Sequence, residues 1–435
     1  MDFRGENLIH LRPSLRKASK EIRGGIMKKK NVLIAAGLLT ALIALGIGQL
    51  QLERVSASQA KGAEAPMFEV DPFWPKPLPN HWIIGSAIGV TIDSKDHVFI
   101  IHRQGTLNPG TEADAAADPA TAIECCTPAP PILEFDPEGN LVGHWGGPAD
   151  GYDWPQSNHG ITIDPMDNIW IGGNGARDAH MLKFTRDGQF LKQFGKPNAR
   201  REAGSSDEEP RFAANSHDEE NFGRVAKISF DASGKEAFVA DGYLNKRVAV
   251  LDSETGVLKR YWGAYGNKPD DSNADRYSPT APPAQQFRNP VHCADPSVDG
   301  LLYVCDRANN RIQVFRPDGE YVDEVFIEKE SLGSGAVWDV SFSSDPEQRY
   351  MYVADGKNQR VHIVERKTLT VLTNFGDGGR QPGQFFGVHS IATDSKGNIY
   401  TTETYEGKRL QKFVYKGMGP VRKKNQGTIW PTFSN

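Results

Sequence analysis

The sequence predicts an all-β fold, a single six-bladed β-propeller with four-stranded blades, and three observations carry that prediction. Residues 159–195 hold four short apolar or alternating runs, 160–163, 169–172, 180–184 and 189–194, each closed by Asp, Pro, Asn or Gly in turn-forming combinations. The opening run-plus-turn signature recurs five more times, at Gly89, Ala226, Val291, Asp339 and Val388. A third-strand signature follows in three of these repeats: Arg247-Val-Ala-Val, Arg311-Ile-Gln-Val and Arg360-Val-His-Ile. A small four-stranded sheet leaves an apolar face uncovered, so units repeating every roughly 45 to 70 residues argue for radial stacking, which covers both faces and leaves few edges. A two-sheet sandwich array is the alternative, and the regular restart of the turn spacing argues against it.

Composition agrees. The 435 residues include 44 Gly and 28 Pro, as expected of a chain that turns every few residues, and no long amphipathic helix pattern follows residue 60.

Residues 1–57 read as an N-terminal extension and signal peptide. Met27-Lys-Lys-Lys, a 16-residue apolar run over 32–47, and Val55-Ser56-Ala57 supply a basic start, an apolar middle and a small-residue cleavage site. Residues 1–26 are polar and mixed in charge, which a signal does not need, and Met27 reads as the natural first residue. The apolar run is shorter than the roughly 20 residues that span a bilayer. We therefore expect cleavage after Ala57 and export to the periplasm or extracellular space, with membrane attachment only through an uncleaved signal. Loss of residues 1–57 removes ten Lys/Arg and four Asp/Glu and moves the formal charge from −5 to −11. So acidic a domain offers phosphates no basic patch, which argues against nucleic acid or lipid headgroups as partners.

Residues 58–80 read as an extended linker, in which the strand pattern Met67-Phe-Glu-Val-Asp71 precedes a proline-rich stretch. The propeller is assigned to 81–417 and a C-terminal tail to 418–435. The last blade, from Val388 to Tyr415, shows three convincing strands, so the strand at Met67 is expected to supply the fourth and close the ring. Insertions stand out at 104–130, 198–220 and 265–286. The protein is read as a monomer.

Four cysteines in an oxidising compartment invite pairing. Cys293 and Cys305 flank one turn, and either a disulfide across the hairpin or two buried thiols would fit. Cys125 and Cys126 are adjacent in the first insertion. Their spacing admits a vicinal disulfide without fixing the pairing.

The innermost strand of each blade lines the central axis, and the residue before its Ile-x-Ile-Asp run sits at the mouth. That residue is His159 in the second blade, His292 in the fourth and His389 in the sixth, with Ile88, Ala226 and Asp339 in the others. Histidines on alternate blades lie about a third of a turn apart and should converge on the axis. Three imidazoles form a preferred zinc site whose fourth position stays open to water or substrate. Second strands run antiparallel to first strands, so their ends face the same mouth. Those ends carry Arg103, Tyr243 and Arg307. A guanidinium grips a carboxylate through paired hydrogen bonds, and a phenol beside a cation can serve as a base.

Ile101-His-Arg103, His159-Gly-Ile, Asp241-Gly-Tyr243-Leu-Asn-Lys-Arg, Val291-His292, Cys305-Asp-Arg307-Ala-Asn-Asn-Arg and Val388-His389-Ser are the pieces of a wider resemblance. The blades resemble NHL repeats, and the ordered set resembles the peptidyl-α-hydroxyglycine α-amidating lyase family over nearly all of the chain after the signal. The resemblance implies zinc held by His159, His292 and His389, a substrate carboxylate bound by Arg103 or Arg307, and Tyr243 taking the α-hydroxyl proton as the carbon–nitrogen bond breaks to give an amide and glyoxylate. It also implies calcium bound with help from an Asp after the third histidine, and here that residue is Ser390. No segment reads as a hydroxylase that would make the substrate, so another carboxylate-bearing α-hydroxylated amide or carbinolamine, peptide or small molecule, stands beside α-hydroxyglycine. A non-catalytic extracytoplasmic binding platform and a calcium-dependent lactonase-like hydrolase are the competing readings. The second expects carboxylates and Asn around the axis rather than histidines.

Overall fold

The computed structural model describes residues 62–272 and 275–427, and the statements below concern those residues. The chain divides into two units, Met1–Ala63 and Glu64–Asn435. The signal reading falls on residues 1–57, outside the described residues. The second unit contains six four-stranded antiparallel sheets.

The first blade comprises Ser86–Ile92, Val98–Arg103, Ile132–Phe135 and Leu141–Trp145. The second comprises Asn158–Ile163, Ile169–Gly173, His180–Phe184 and Phe190–Gly195. Val225–Phe230, Glu236–Asp241, Arg247–Asp252 and Leu258–Trp262 form the third. The fourth is Val291–Pro296, Leu302–Asp306, Arg311–Phe315 and Tyr321–Phe326. Asp339–Phe342, Tyr350–Asp355, Arg360–Glu365 and Thr370–Phe375 make the fifth. The sixth takes Val388–Thr393, Ile399–Glu403 and Arg409–Pro420 from the end of the propeller and Glu64–Asp71 from its start. In that last pairing Glu64 lies opposite Pro420 and Asp71 opposite Lys412. The closing strand thus begins before Met67, and its partner runs past Gly417.

Continuous apolar runs in the middle strands, such as Val98-Phe-Ile-Ile101 and Ile169-Trp-Ile171, are buried on both faces of a blade, and the core accordingly lies between blades. Trp170 and Met181 of the second blade pack with Val225, Val239 and Leu251 of the third. Trp74, Val90 and Phe135 pack with Tyr400 of the sixth, which seals the junction of last blade to first.

The turn signature has a local cause. The carboxylate of Asp164 accepts the backbone N–H groups of Met166 and Asn168, both at 2.9 Å, and Asp394 does the same for Lys396 and Asn398. The residue closing such a turn needs positive φ, met by Asp167 at 65° and Gly397 at 84°. The Arg of the third-strand signature is a buried tie: Arg247 Nε donates to Asp241 at 2.8 Å and Arg311 Nε to Asp306 at 2.8 Å. In the fifth blade His362 takes over, with Nε2 3.0 Å from Asp355.

Cys293 lies directly opposite Cys305, and the two form a disulfide inside the fourth blade. Cys125 is joined to Cys126. Among the described residues no helix is long and apolar enough to cross a membrane.

Candidate metal centre

Five of the six innermost strands carry a β-bulge at the mouth of the axis. Their registers shift between Ala87 and Gly89, Asn158 and Ile161, Val225 and Lys227, Val291 and Cys293, and Val388 and Ser390. The residues at the bulges include Ile88, His159, Ala226, His292 and His389. A bulge bends the strand and re-aims a side chain, and here it turns the three histidines inward. The fifth blade is regular from Asp339, and Trp338 N–H donates to Ala354 O at 2.9 Å. The place assigned to Asp339 from the sequence therefore belongs to Trp338, one residue earlier.

The three imidazoles meet on the axis, with ring centroids 5.1, 4.8 and 4.8 Å apart. One nitrogen from each lies within 4.8 Å of the others. Each Nδ1 faces a backbone carbonyl of the following blade: His159 on Ala226 O at 2.7 Å, His389 on Ile88 O at 2.6 Å, and His292 on Trp338 O. A carbonyl can only accept, so Nδ1 carries the proton and the lone pair sits on Nε2, toward the axis. Gly160 allows this approach, since a Cβ there would lie 2.5 Å from the same Ala226 oxygen.

All three side chains are buried. Burial pushes His159 and His292 well below the ordinary imidazole value, and it takes His389 to about 3 with help from Arg307 and Arg103. The site thus presents three neutral nitrogen donors around a space of about 10 Å³, room for a single water-sized ligand. Such a donor set fits zinc.

Tyr243 Oη lies 2.9 Å from His159 Nε2 and 3.0 Å from His292 Nε2. Arg307 Nη1 donates to the same oxygen at 3.2 Å, and its Nε donates to Ser334 O. Burial raises the Tyr243 phenol above its ordinary value, with Arg307 and Arg103 acting against it. Arg103 donates from Nε to Asn158 O at 2.9 Å and from Nη2 to Asn174 Oδ1 at 2.7 Å. Among the described residues neither Arg103 nor Arg307 forms an ion pair with a carboxylate.

All six residues singled out from the sequence therefore gather at one mouth. Three more escaped it. Trp338 supplies the carbonyl that orients His292, and its ring lies 5.4 Å from His389 and beneath the Arg307 guanidinium at 4.4 Å. Asn174, at the end of a second strand like Arg103, orients that arginine. Exposed Tyr405 stands at the rim, 6.2 Å from Trp338. The second-strand-end rule that found Arg103 would have found Asn174 and Tyr405.

Below the histidines, Ser390 Oγ donates to Asp339 Oδ2 at 2.7 Å, while Lys227 Nζ lies 2.6 Å from Asp339 Oδ1 and 2.9 Å from Asp295 Oδ1. These carboxylates already hold an ammonium, whose charge occupies the place a calcium ion would take.

No family model matches the chain. Peptidylglycine alpha-amidating monooxygenase of Rattus norvegicus is 26% identical over 248 residues, 55% of this chain and 22% of that protein. Peptidyl-alpha-hydroxyglycine alpha-amidating lyase 1 of Drosophila melanogaster is 23% identical over 367 residues, 79% of this chain and 59% of its own. NHL repeat-containing protein 3 of Mus musculus is 23% identical over 318 residues, 71% and 70% of the two chains. The chain thus spans about a fifth of the rat protein's length. Among solved structures, streptogramin B lyase matches with a TM-score of 0.48 at 11% identity, over 80% of this chain and 98% of that one. The chain is a six-bladed β-propeller distantly similar to amidating lyases and NHL-repeat proteins.

Proposed function

We propose that this chain is an exported, zinc-dependent carbon–nitrogen lyase that splits an α-hydroxyglycine-type substrate into an amide and glyoxylate. The observation that carries the reading is the pair of guanidiniums, Arg103 and Arg307, which among the described residues have no carboxylate partners and stand beside three neutral imidazoles and a phenol. An unpaired cation at a half-buried mouth is costly to keep unless an anion arrives to meet it.

His159, His292 and His389 would hold the metal. Bound there, zinc supplies Lewis acidity and a positive charge that lowers the pKa of a neighbouring hydroxyl. Arg103 and Arg307 grip the substrate carboxylate and set its α-carbon against Tyr243. Tyr243 enters the step as the phenolate, the form that the Arg307 and Arg103 charges favour, and its Oη takes the α-hydroxyl proton as the electron pair of that O–H bond forms the aldehyde C=O. The C–N bond breaks, and the departing nitrogen takes that proton from Tyr243 to become the amide, which returns the phenolate. Arg307, donating to Tyr243 Oη, stabilises the phenol as its charge changes.

The substrate is a peptide or small molecule bearing a carboxylate, taken by a monomer. The Cys293–Cys305 disulfide supports an oxidising compartment, and the export signal would lie in residues 1–57. The test is glyoxylate release from an N-acyl-α-hydroxyglycine after chelation and zinc reloading. Release that depends on zinc and falls about 10²- to 10⁴-fold in Tyr243→Phe is expected. No release above background from zinc-loaded protein would leave the binding-platform reading in its place.

A further inference from the structure

One residue beyond the histidine tier, the innermost strands place Lys227, Asp339 and Ser390 in the third, fifth and sixth blades, with Asp295 of the fourth blade slightly deeper. Lys227 lies between the Asp295 and Asp339 carboxylates. Asp339 Oδ1 also accepts Val340 N–H at 2.9 Å, and its Oδ2 accepts Ser390 Oγ at 2.7 Å and Ile391 N–H at 3.1 Å. Asp295 Oδ1 accepts Ser229 Oγ at 3.0 Å, and its Oδ2 has no hydrogen-bond partner among the described residues. The Lys227 and Asp339 side chains are 14% and 3% exposed. Burial works against the Lys227 charge, but the two carboxylates outweigh it and hold the ammonium above its ordinary value. Glycine occupies the same strand position in the other two blades that could crowd the lysine stem, at Gly89 and Gly160. A Cβ on Gly160 would come 3.1 Å from Lys227 Cα.

We propose that Lys227 is the resident cation of the propeller axis, an internal ammonium that ties four successive blades together and makes a divalent ion at this tier unnecessary. Its neighbours give the tie a second effect. Lys227 follows Ala226, whose carbonyl orients His159, Asp339 follows Trp338, whose carbonyl orients His292, and Ser390 follows His389. Three of the four tied blades therefore hold their part of the histidine tier through the next residue in the chain. The inference is independent of the lyase reading, because it concerns the ring and not the reaction.

The test reads thermal midpoints of wild type, Lys227→Ala and Lys227→Arg, each in EGTA and in millimolar calcium. Wild type should melt at the same temperature in both conditions. Lys227→Ala should melt lower in EGTA and recover part of the loss in calcium, as the ion enters between Asp295 and Asp339. Lys227→Arg should stay nearer to wild type. A saturable calcium-dependent rise in wild type would overturn the proposal, and that arm does not depend on any variant folding. A Lys227→Ala midpoint equal to wild type in EGTA would overturn the tie. A destabilised Lys227→Ala indifferent to calcium would show that the lysine stem, rather than its charge, is what matters.

Discussion

At the scale of single residues, the site is built from protons held in fixed places. Because burial disfavours the charged imidazolium, the folded protein resists protonating His159, His292 and His389, whereas the unfolded chain takes up protons near 6.5. The folded-state values are depressed, so below 6.5 the unfolded state binds more protons and is stabilised relative to the folded one. The metal-free protein should therefore lose thermal stability as pH falls from about 6.5 toward 3, where His389 itself protonates. A pH series of melting curves on chelated protein checks this, and His389→Gln should flatten the decline. Trp338 makes a separate prediction. Trp338→Leu keeps the backbone carbonyl, and with it the His292 orientation and the metal, but removes the surface on which Arg307 stacks. A cation–π contact contributes about 0.5–2 kcal/mol, so KM should rise roughly 2- to 30-fold with kcat little changed, and Trp338→Phe should restore most of it. Equal losses in kcat and kcat/KM would assign Trp338 to the transition state instead.

At the scale of strands and turns, what the sequence reveals and what it hides have the same origin. His159 and His389 were legible because each stands at the same offset before an Asp that opens a turn, and His292 because it stands at that offset before Ser297 in the repeated strand-and-turn pattern. Lys227 was not, because strict alternation puts neighbours on opposite faces and would send Ala226 and Lys227 apart. The bulge between Val225 and Lys227 breaks that alternation and lets both residues reach the axis. Trp338 was missed because the turn of its blade opens on Ser343 rather than on an Asp, which hid an offset that Ile88 and Ala226 share with it relative to Asp93 and Asp231. The repeated Arg of the third strands was visible as a pattern, but its partner, an acid at the end of the preceding strand, becomes apparent only once the hairpin is folded. The Glu64–Asp71 strand carries its own prediction. Phe68 is buried against Tyr352 and Phe375 at 5.4 and 5.1 Å, so Phe68→Ala should cost about 3–5 kcal/mol in denaturant unfolding. Truncation to residue 75 should lower the thermal midpoint further, because it also strips the backbone hydrogen bonds of an entire edge. An unchanged midpoint in the truncated protein would mean that the sixth blade does not need this strand.

At the scale of the molecule, six blades impose a symmetry that the site uses. Histidines on alternate blades receive their orientation from the blades between them, so every blade contributes either a ring or the carbonyl that aims one. The first, third and fifth blades supply Ile88 O, Ala226 O and Trp338 O; the second, fourth and sixth supply the imidazoles. A closed ring is what keeps these partners in register, and loosening any junction should be felt at the axis. The account stands on this three-fold convergence as a metal site, and metal stoichiometry tests it most directly. Purified protein, chelated and then dialysed against zinc, should retain about one equivalent by elemental analysis. His292→Ala should retain sharply less, and the variant with His159, His292 and His389 all replaced by Ala should retain none. One full equivalent held by that triple variant would contradict the account.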